Sequence, residues 1–267
     1  MTKQETITSA AKAYEAMLVP GIIAPWAELI VSGMQVNAGI KVLDVACGTG
    51  IATRYAARRC GNHGKAVGID IDEGMVEIAK SISIKEGLSI DFQLGSACEL
   101  PYDANLFDAA ICLQGLQYFP DRLKAMSEMR RVLRPNSLLT AITWSGIDNC
   151  KGYWALVKAL ENRNLDAAAA RKPFCLSSPT ELRLLAEEAG FRQIEVRSEQ
   201  HWAIFNSANA FVDAMLQGAP STRYALEKVS PADWQDFLSE VDDLLSPWKH
   251  QSCLKFPMEG NVLVAHR

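Results

Sequence analysis

The sequence predicts an α/β fold built on a mostly parallel sheet, and three observations carry that expectation. Between residues 40 and 144, short apolar runs alternate with amphipathic helical stretches. The first run, residues 42–45, breaks into the glycine-rich turn Ala46-Cys47-Gly48-Thr49-Gly50, and a second, residues 64–69, ends in Asp70. Alternation on this scale favours parallel strands joined by crossover helices.

The turn implies a ligand. Gly48 and Gly50 lack a Cβ, so a ligand can lie directly against the peptide groups, and the free N–H groups of the helix beginning at Ile51 point the same way. Asp70 follows Asp44 by 26 residues and closes the neighbouring strand. A carboxylate there accepts hydrogen bonds from both ribose hydroxyls of an adenosine lying across the strand ends. Thr53 occupies the third glycine position of a dinucleotide fingerprint, and no lysine is placed to hold phosphates. The cradle therefore suits an adenosine without a pyrophosphate.

Asp44-x-Ala46-x-Gly48-x-Gly50 resembles the Asp/Glu-x-Gly-x-Gly-x-Gly motif of the class I S-adenosylmethionine-dependent methyltransferases, with Ala46 in place of the first glycine. Further motifs follow in order at residues 67–75, 92–101, 106–121 and 129–135, and the nearest likeness is to the ubiquinone and menaquinone biosynthesis methyltransferases. The resemblance implies a Rossmann-like, seven-stranded, mostly parallel sheet in the order 3-2-1-4-5-7-6 with the last strand antiparallel. It implies S-adenosylmethionine as cofactor, S-adenosylhomocysteine as product, and Ile71 and Met75 beside the adenine. Ala97, Leu113 and Gln114 complete the implied cofactor contacts, with Asp44, Ala46, Gly48, Gly50 and Asp70. Ser96 stands where this group usually has an adenine-binding Asp, and Asn136-Ser137 replaces the usual Gly-Gly. As a neutral partner Ser96 weakens the adenine contact by about 1 kcal/mol.

Composition narrows the rest. The net charge of −4 comes from 27 basic and 31 acidic residues without a basic block, which argues against nucleic acid as a partner. Cys47, Cys60, Cys98, Cys112, Cys150, Cys175 and Cys253 are scattered and form no Cys-x-x-Cys pair, so they read as reduced thiols of a cytoplasmic protein without a metal site. No basic-then-apolar leader opens the chain and no apolar run approaches 18 residues, so neither targeting nor a membrane is expected.

The elements are expected in this order. A helix over 6–19 and another over 25–33, separated by a hinge at Pro20-Gly21, form a lid over residues 1–39, with Asn37-Ala38-Gly39 as linker. In the family such helices close over the cofactor, which makes Tyr14 a candidate cofactor contact. Asp72 caps a helix to about Lys85; strands follow at 87–94, 107–113 and 138–144, with a helix at 123–133. Ser178 opens a helix ending at Gly190, a sixth strand starts at Phe191 and extends towards Trp202, and the last covers 260–266. Residues 205–255, with helices near 208–217, 224 and 232–245, read as a cap inserted into a core of 40–204 and 256–267.

Methyl transfer from a sulfonium is an in-line displacement with a neutral leaving group, so alignment and exclusion of water dominate. A general base matters only for a hydroxyl or protonated amine acceptor; His201, Gln117 and Tyr14 are the candidates. Gln117, Tyr118, Trp144 and His201 are the candidate acceptor contacts, and the aromatic content of the cap suits a small apolar or aromatic acceptor. The alternatives are a non-catalytic or regulatory cofactor-binding protein, or a protein or nucleic-acid methyltransferase. Leu113-Gln114-Gly115-Leu116 lacks the Asp/Asn-Pro-Pro-aromatic turn of nucleic-acid amino methyltransferases. A monomer and a homodimer are both compatible with the sequence.

Overall fold

The computed structural model describes residues 3–34 and 38–267. Seven strands, β1 (Lys41–Val45), β2 (Lys65–Asp70), β3 (Asp91–Leu94), β4 (Phe107–Leu113), β5 (Leu133–Trp144), β6 (Arg192–Phe205) and β7 (Leu254–His266), form one sheet in the order 3-2-1-4-5-7-6. Only β7 runs against its neighbours, antiparallel to both β5 and β6. This is the architecture the resemblance implies. Val42, Leu43 and Val45 of the central β1 are at most 1 % exposed, as expected of a strand covered on both faces. Strand order reverses between β1 and β4, so their C-terminal ends diverge and open a crevice.

Side-chain caps set four helix starts. Asp72, Asp121, Ser178 and Ser207 each accept a backbone N–H from the first turn of the helix that follows. Strand limits differ from expectation where special backbone intervenes. β3 starts at Asp91 rather than Gly87, because Gly87 takes φ +67° and closes the helix Glu73–Lys85. β5 begins at Leu133, and Asn136 at φ +64° accommodates the register shift in its pairing with β4; asparagine tolerates the left-handed region that glycine usually fills. β6 and β7 pair along long arms, with helices Ala208–Gly218, Pro220–Leu226 and Trp234–Leu244 between them.

The N-terminus departs most from the sequence reading. Helical backbone continues from Lys3 to Ser32, and Tyr14–Ile23 is a π-helix. The expected hinge at Pro20-Gly21 is therefore absent. Pro20 has no N–H to give, and the wider π turn, seen in the bond from Ala24 N–H to Val19 O, carries the chain past its ring. A Cβ on Gly21 would lie 2.6 Å from Phe205, so glycine lets the segment rest on the end of β6. Without a break, Thr8–Ser32 is a helix long and apolar enough to cross a membrane, contrary to the expectation that no apolar run approaches 18 residues. Half of its most apolar window is buried in the body, where Trp26, Ala27 and Ile30 are fully enclosed. Asn37 of the expected linker lies outside the described residues.

Candidate active site

The glycine turn joins β1 to the helix Ile51–Cys60. Gly48 and Gly50 take φ +54° and +83°, the left-handed region that glycine enters without strain. Ala46 is there too, at φ +58°, where the family motif has glycine. Its methyl group occupies space that Gly115 leaves open, since a Cβ on Gly115 would sit 2.5 Å from Ala46 Cβ. Asp70 latches the turn: Gly48 N–H donates to its Oδ2 at 2.7 Å and Asp72 N–H to its Oδ1 at 2.9 Å. Burial raises its pKa, and the donated N–H groups oppose that shift. Each carboxylate oxygen accepts more than one bond, so the latch leaves lone pairs for hydroxyl donors.

Around this turn lies a crevice of about 330 Å³. Ala46, Gly48 and Asp70 form one side, and Ile71, Met75, Ser96 and Ala97 another. Leu113, Gln114, Tyr118 and Tyr14 close it. Ile71 is 76 % exposed, an apolar edge beside Asp70 suited to a flat heterocycle. Ser96 Oγ accepts Cys98 N–H at 3.1 Å, which orients the hydroxyl oxygen. The Tyr14 ring reaches to 4.0 Å from where a Gly48 Cβ would be, so a side chain there would narrow the cradle. These groups fit an adenosyl amino acid: a carboxylate for the ribose, apolar edges for the base, and bare backbone between.

A second chamber of about 510 Å³ adjoins it, and Tyr14, Met75, Gln114 and Tyr118 belong to both walls. Leu18, Ile22 and Ile23 of the π-helix supply its apolar side, with Trp144 from the end of β5 and Tyr153. Residues 218–221 shut it; a Cβ on Gly218 would meet the Tyr14 backbone at 3.0 Å. Gln114 stands at the junction with φ +57°, a strained conformation for a non-glycine residue at a functional position. Its Oε1 accepts from Gln117 Nε2 at 2.7 Å, which leaves Gln114 Nε2 buried without a partner.

Four expected contacts lie elsewhere. Asp44 is 1 % exposed and sits beneath the turn, where Thr53 Oγ1 donates to its Oδ2 at 2.6 Å. Gly50 faces inward, and a Cβ there would strike Phe92 at 2.7 Å, so its missing side chain serves packing. Gln117 is 2 % exposed and orients Gln114 from behind instead of reaching an acceptor. His201 is held on β6 against Trp26, with ring centroids 4.7 Å apart, and Trp26 in turn meets Trp144 at 5.4 Å. Strand alternation puts His201 on the face that receives the N-terminal helix, where the Trp26 ring touches both it and Trp144.

Two contributors escaped the sequence reading. Arg54, 2 % exposed, donates to Thr49 O at 2.6 Å and to Glu15 at 2.7 Å, tying the N-terminal helix to the glycine turn. Lys172 lines the second chamber. An arginine in the helix after the glycine turn and a lysine next to Arg171 carry no periodic signal of either role.

Burial raises the Asp44 carboxyl from its ordinary 3.8 to about 7, the Thr53 hydrogen bond opposing the shift. Between those values the folded protein holds a proton that the unfolded chain has released. The associated stability is complete below about pH 4 and is lost as pH rises through about 7. Asp44→Asn should flatten that part of the stability profile in urea titrations across this range. An unchanged slope in the variant would assign the titration to another group.

The methyltransferase-domain family matches residues 42–136 of the chain. Demethylmenaquinone methyltransferase of Staphylococcus haemolyticus is 30 % identical over 185 residues, covering 65 % of this chain and 77 % of the relative. Among solved structures, a putative methyltransferase from Bacillus halodurans aligns with TM-score 0.58 at 18 % identity over 90 % of this chain and 97 % of its own. Phosphoethanolamine N-methyltransferase 2 of Haemonchus contortus, solved with S-adenosyl-L-methionine, aligns with TM-score 0.61 at 20 % identity, over 99 % of this chain and 58 % of its own. At such identities these two structures speak for the fold. The motifs in order, the seven-stranded topology and the matched sequence family agree, and the chain belongs to the class I S-adenosylmethionine-dependent methyltransferases, where it resembles the enzymes of menaquinone biosynthesis.

Proposed function

We propose that this methyltransferase transfers the methyl group to the oxygen, nitrogen or carbon of a small apolar or aromatic molecule and releases S-adenosylhomocysteine. The observation that carries this reading is the pair of adjoining chambers, one ringed by Asp70, Ile71 and Ser96 and the other walled largely by apolar side chains. When bound, the cofactor supplies an electrophilic methyl group on a sulfonium. Asp70 holds the ribose, Ile71 and Met75 flank the adenine, Ser96 meets its edge, and Gly48 and Ala46 give it bare backbone. Tyr14, Gln114 and Tyr118 stand at the junction and orient the acceptor, while the π-helix and the 218–221 segment exclude water.

In this reading residues 1–39 are a lid, 205–255 a specificity cap, and 40–204 with 256–267 the catalytic core. The enzyme acts in the cytoplasm as a monomer or homodimer, without metal or nucleic acid, in cofactor biosynthesis or secondary metabolism. The relatives named demethylmenaquinone methyltransferase support quinone precursors as the first acceptors to try. A screen of phenols, quinone precursors, amines and carboxylic acids with labelled cofactor tests the reading. Turnover of apolar ring compounds is expected; turnover confined to small amines would overturn the acceptor class. Cofactor binding without any turnover would favour a non-catalytic role.

A further inference from the structure

We propose that the acceptor carries an anionic group, which Lys172 binds at a point away from the transferred methyl. This rests on the reading of the second chamber as the acceptor site. Among the described residues Lys172 is the one charged residue in that chamber's wall; the other polar groups there, those of Tyr14, Gln114, Tyr118, Trp144, Tyr153 and Ser221, are neutral side chains. Arg171 and Lys228 are each paired, Arg171 with Glu161 at 2.6 Å and Lys228 with Asp166 at 2.8 Å. Among the described residues no carboxylate forms an ion pair with Lys172. An unpaired ammonium on an otherwise neutral, mainly apolar wall attracts an anion and repels a cationic amine.

Its placement is fixed by packing. Lys172 opens the turn Lys172–Phe174, Pro173 behind it is buried, and Phe174 sits edge-on to Tyr153 with centroids 5.1 Å apart. Lys172 belongs to the acceptor chamber alone, whereas Gln114 belongs to both chambers. Lys172 therefore sits to one side of the junction where transfer occurs. The buried, unpartnered Gln114 Nε2 at the junction is a second donor, and it suits an oxygen on the acceptor near the reacting atom. The acceptor class that meets both donors is an apolar body with a carboxylate or similar anion on one side and a second oxygen towards the cofactor.

The test uses two fluorescent probes of nearly the same shape, anionic 8-anilino-1-naphthalenesulfonate and neutral N-phenyl-1-naphthylamine, titrated into the full chain saturated with S-adenosylhomocysteine. Because Lys172 is solvent-exposed, the interaction has the strength of a rim ion pair. Lys172→Met should weaken the anionic probe roughly fivefold and leave the neutral one within about twofold, and added salt should shrink the difference. Lys172→Arg should preserve anion binding and Lys172→Glu should weaken it further. Equal effects on both probes, no effect on either, or no binding of the anionic probe by the wild type would overturn the proposal. Cofactor affinity separates the two levels: intact S-adenosylhomocysteine binding without anion selectivity refutes this inference alone, whereas no S-adenosylhomocysteine binding by the wild type refutes the parent reading.

Discussion

Asp70→Ala is expected to weaken S-adenosylhomocysteine binding by about 2–3 kcal/mol, the scale of charge-assisted hydrogen bonds to a ribose diol. A loss beyond that scale is also accounted for, because Asp70 does two jobs. Its carboxylate faces the crevice and at the same time accepts the N–H groups of Gly48 and Asp72. Alanine removes the ligand contact and unlatches the turn together. Asp70→Asn separates the two, since its amide oxygen keeps one acceptor while the amide nitrogen faces a donor N–H. It should fall between wild type and alanine in calorimetric titration. Equal affinity across the three proteins would mean that the ribose is held elsewhere.

Arg54→Met is expected to cost about 3 kcal/mol in urea denaturation, because removing one member of a buried ion pair leaves the other uncompensated. The Arg54 side chain is 3 % exposed and its partner Glu15 20 %, and Glu86 lies a further 3.4 Å from Nε. Double replacement with Glu15→Gln should recover part of the loss, since the stranded charge is then gone. The variant should also bind cofactor more weakly, because Arg54 connects Glu15, one residue from Tyr14, to the carbonyl of Thr49 in the turn. A loss below about 1 kcal/mol would show that the pair is effectively solvated.

Residue spacing was enough to bring most of the expected residues to the crevice around the glycine turn. Asp70 ends its strand, and Gly48, Ser96 and Gln114 each follow the C-terminal end of one in the parallel stack, so locating the strands locates the residues around the crevice. Apolar runs with glycine or acidic breaks located the strands, whereas the sheet order and the direction of β7 followed from the family resemblance that those motifs carry. Even the departures had local explanations: Ala46 and Asn136 occupy left-handed backbone in place of glycine.

The second chamber was decided by tertiary structure. Its wall combines the N-terminal helix, the segment after β4, the end of β5, Tyr153, the turn at Lys172 and residues 218–221, pieces drawn from more than 200 positions of sequence. Periodicity tells which face of each piece is apolar, but not which other piece covers it. Hence His201, in an aromatic stretch, went to the Trp26 side of β6, and Gln117 turned back to hold Gln114. The same limit hid the continuous N-terminal helix. Proline followed by glycine reads locally as a break, whereas a π turn and close contact with Phe205 keep the backbone helical through it. Local spacing determined what binds at the strand ends; long-range packing alone determined what closes over them, because a buried contact depends on two surfaces and the sequence displays each one separately.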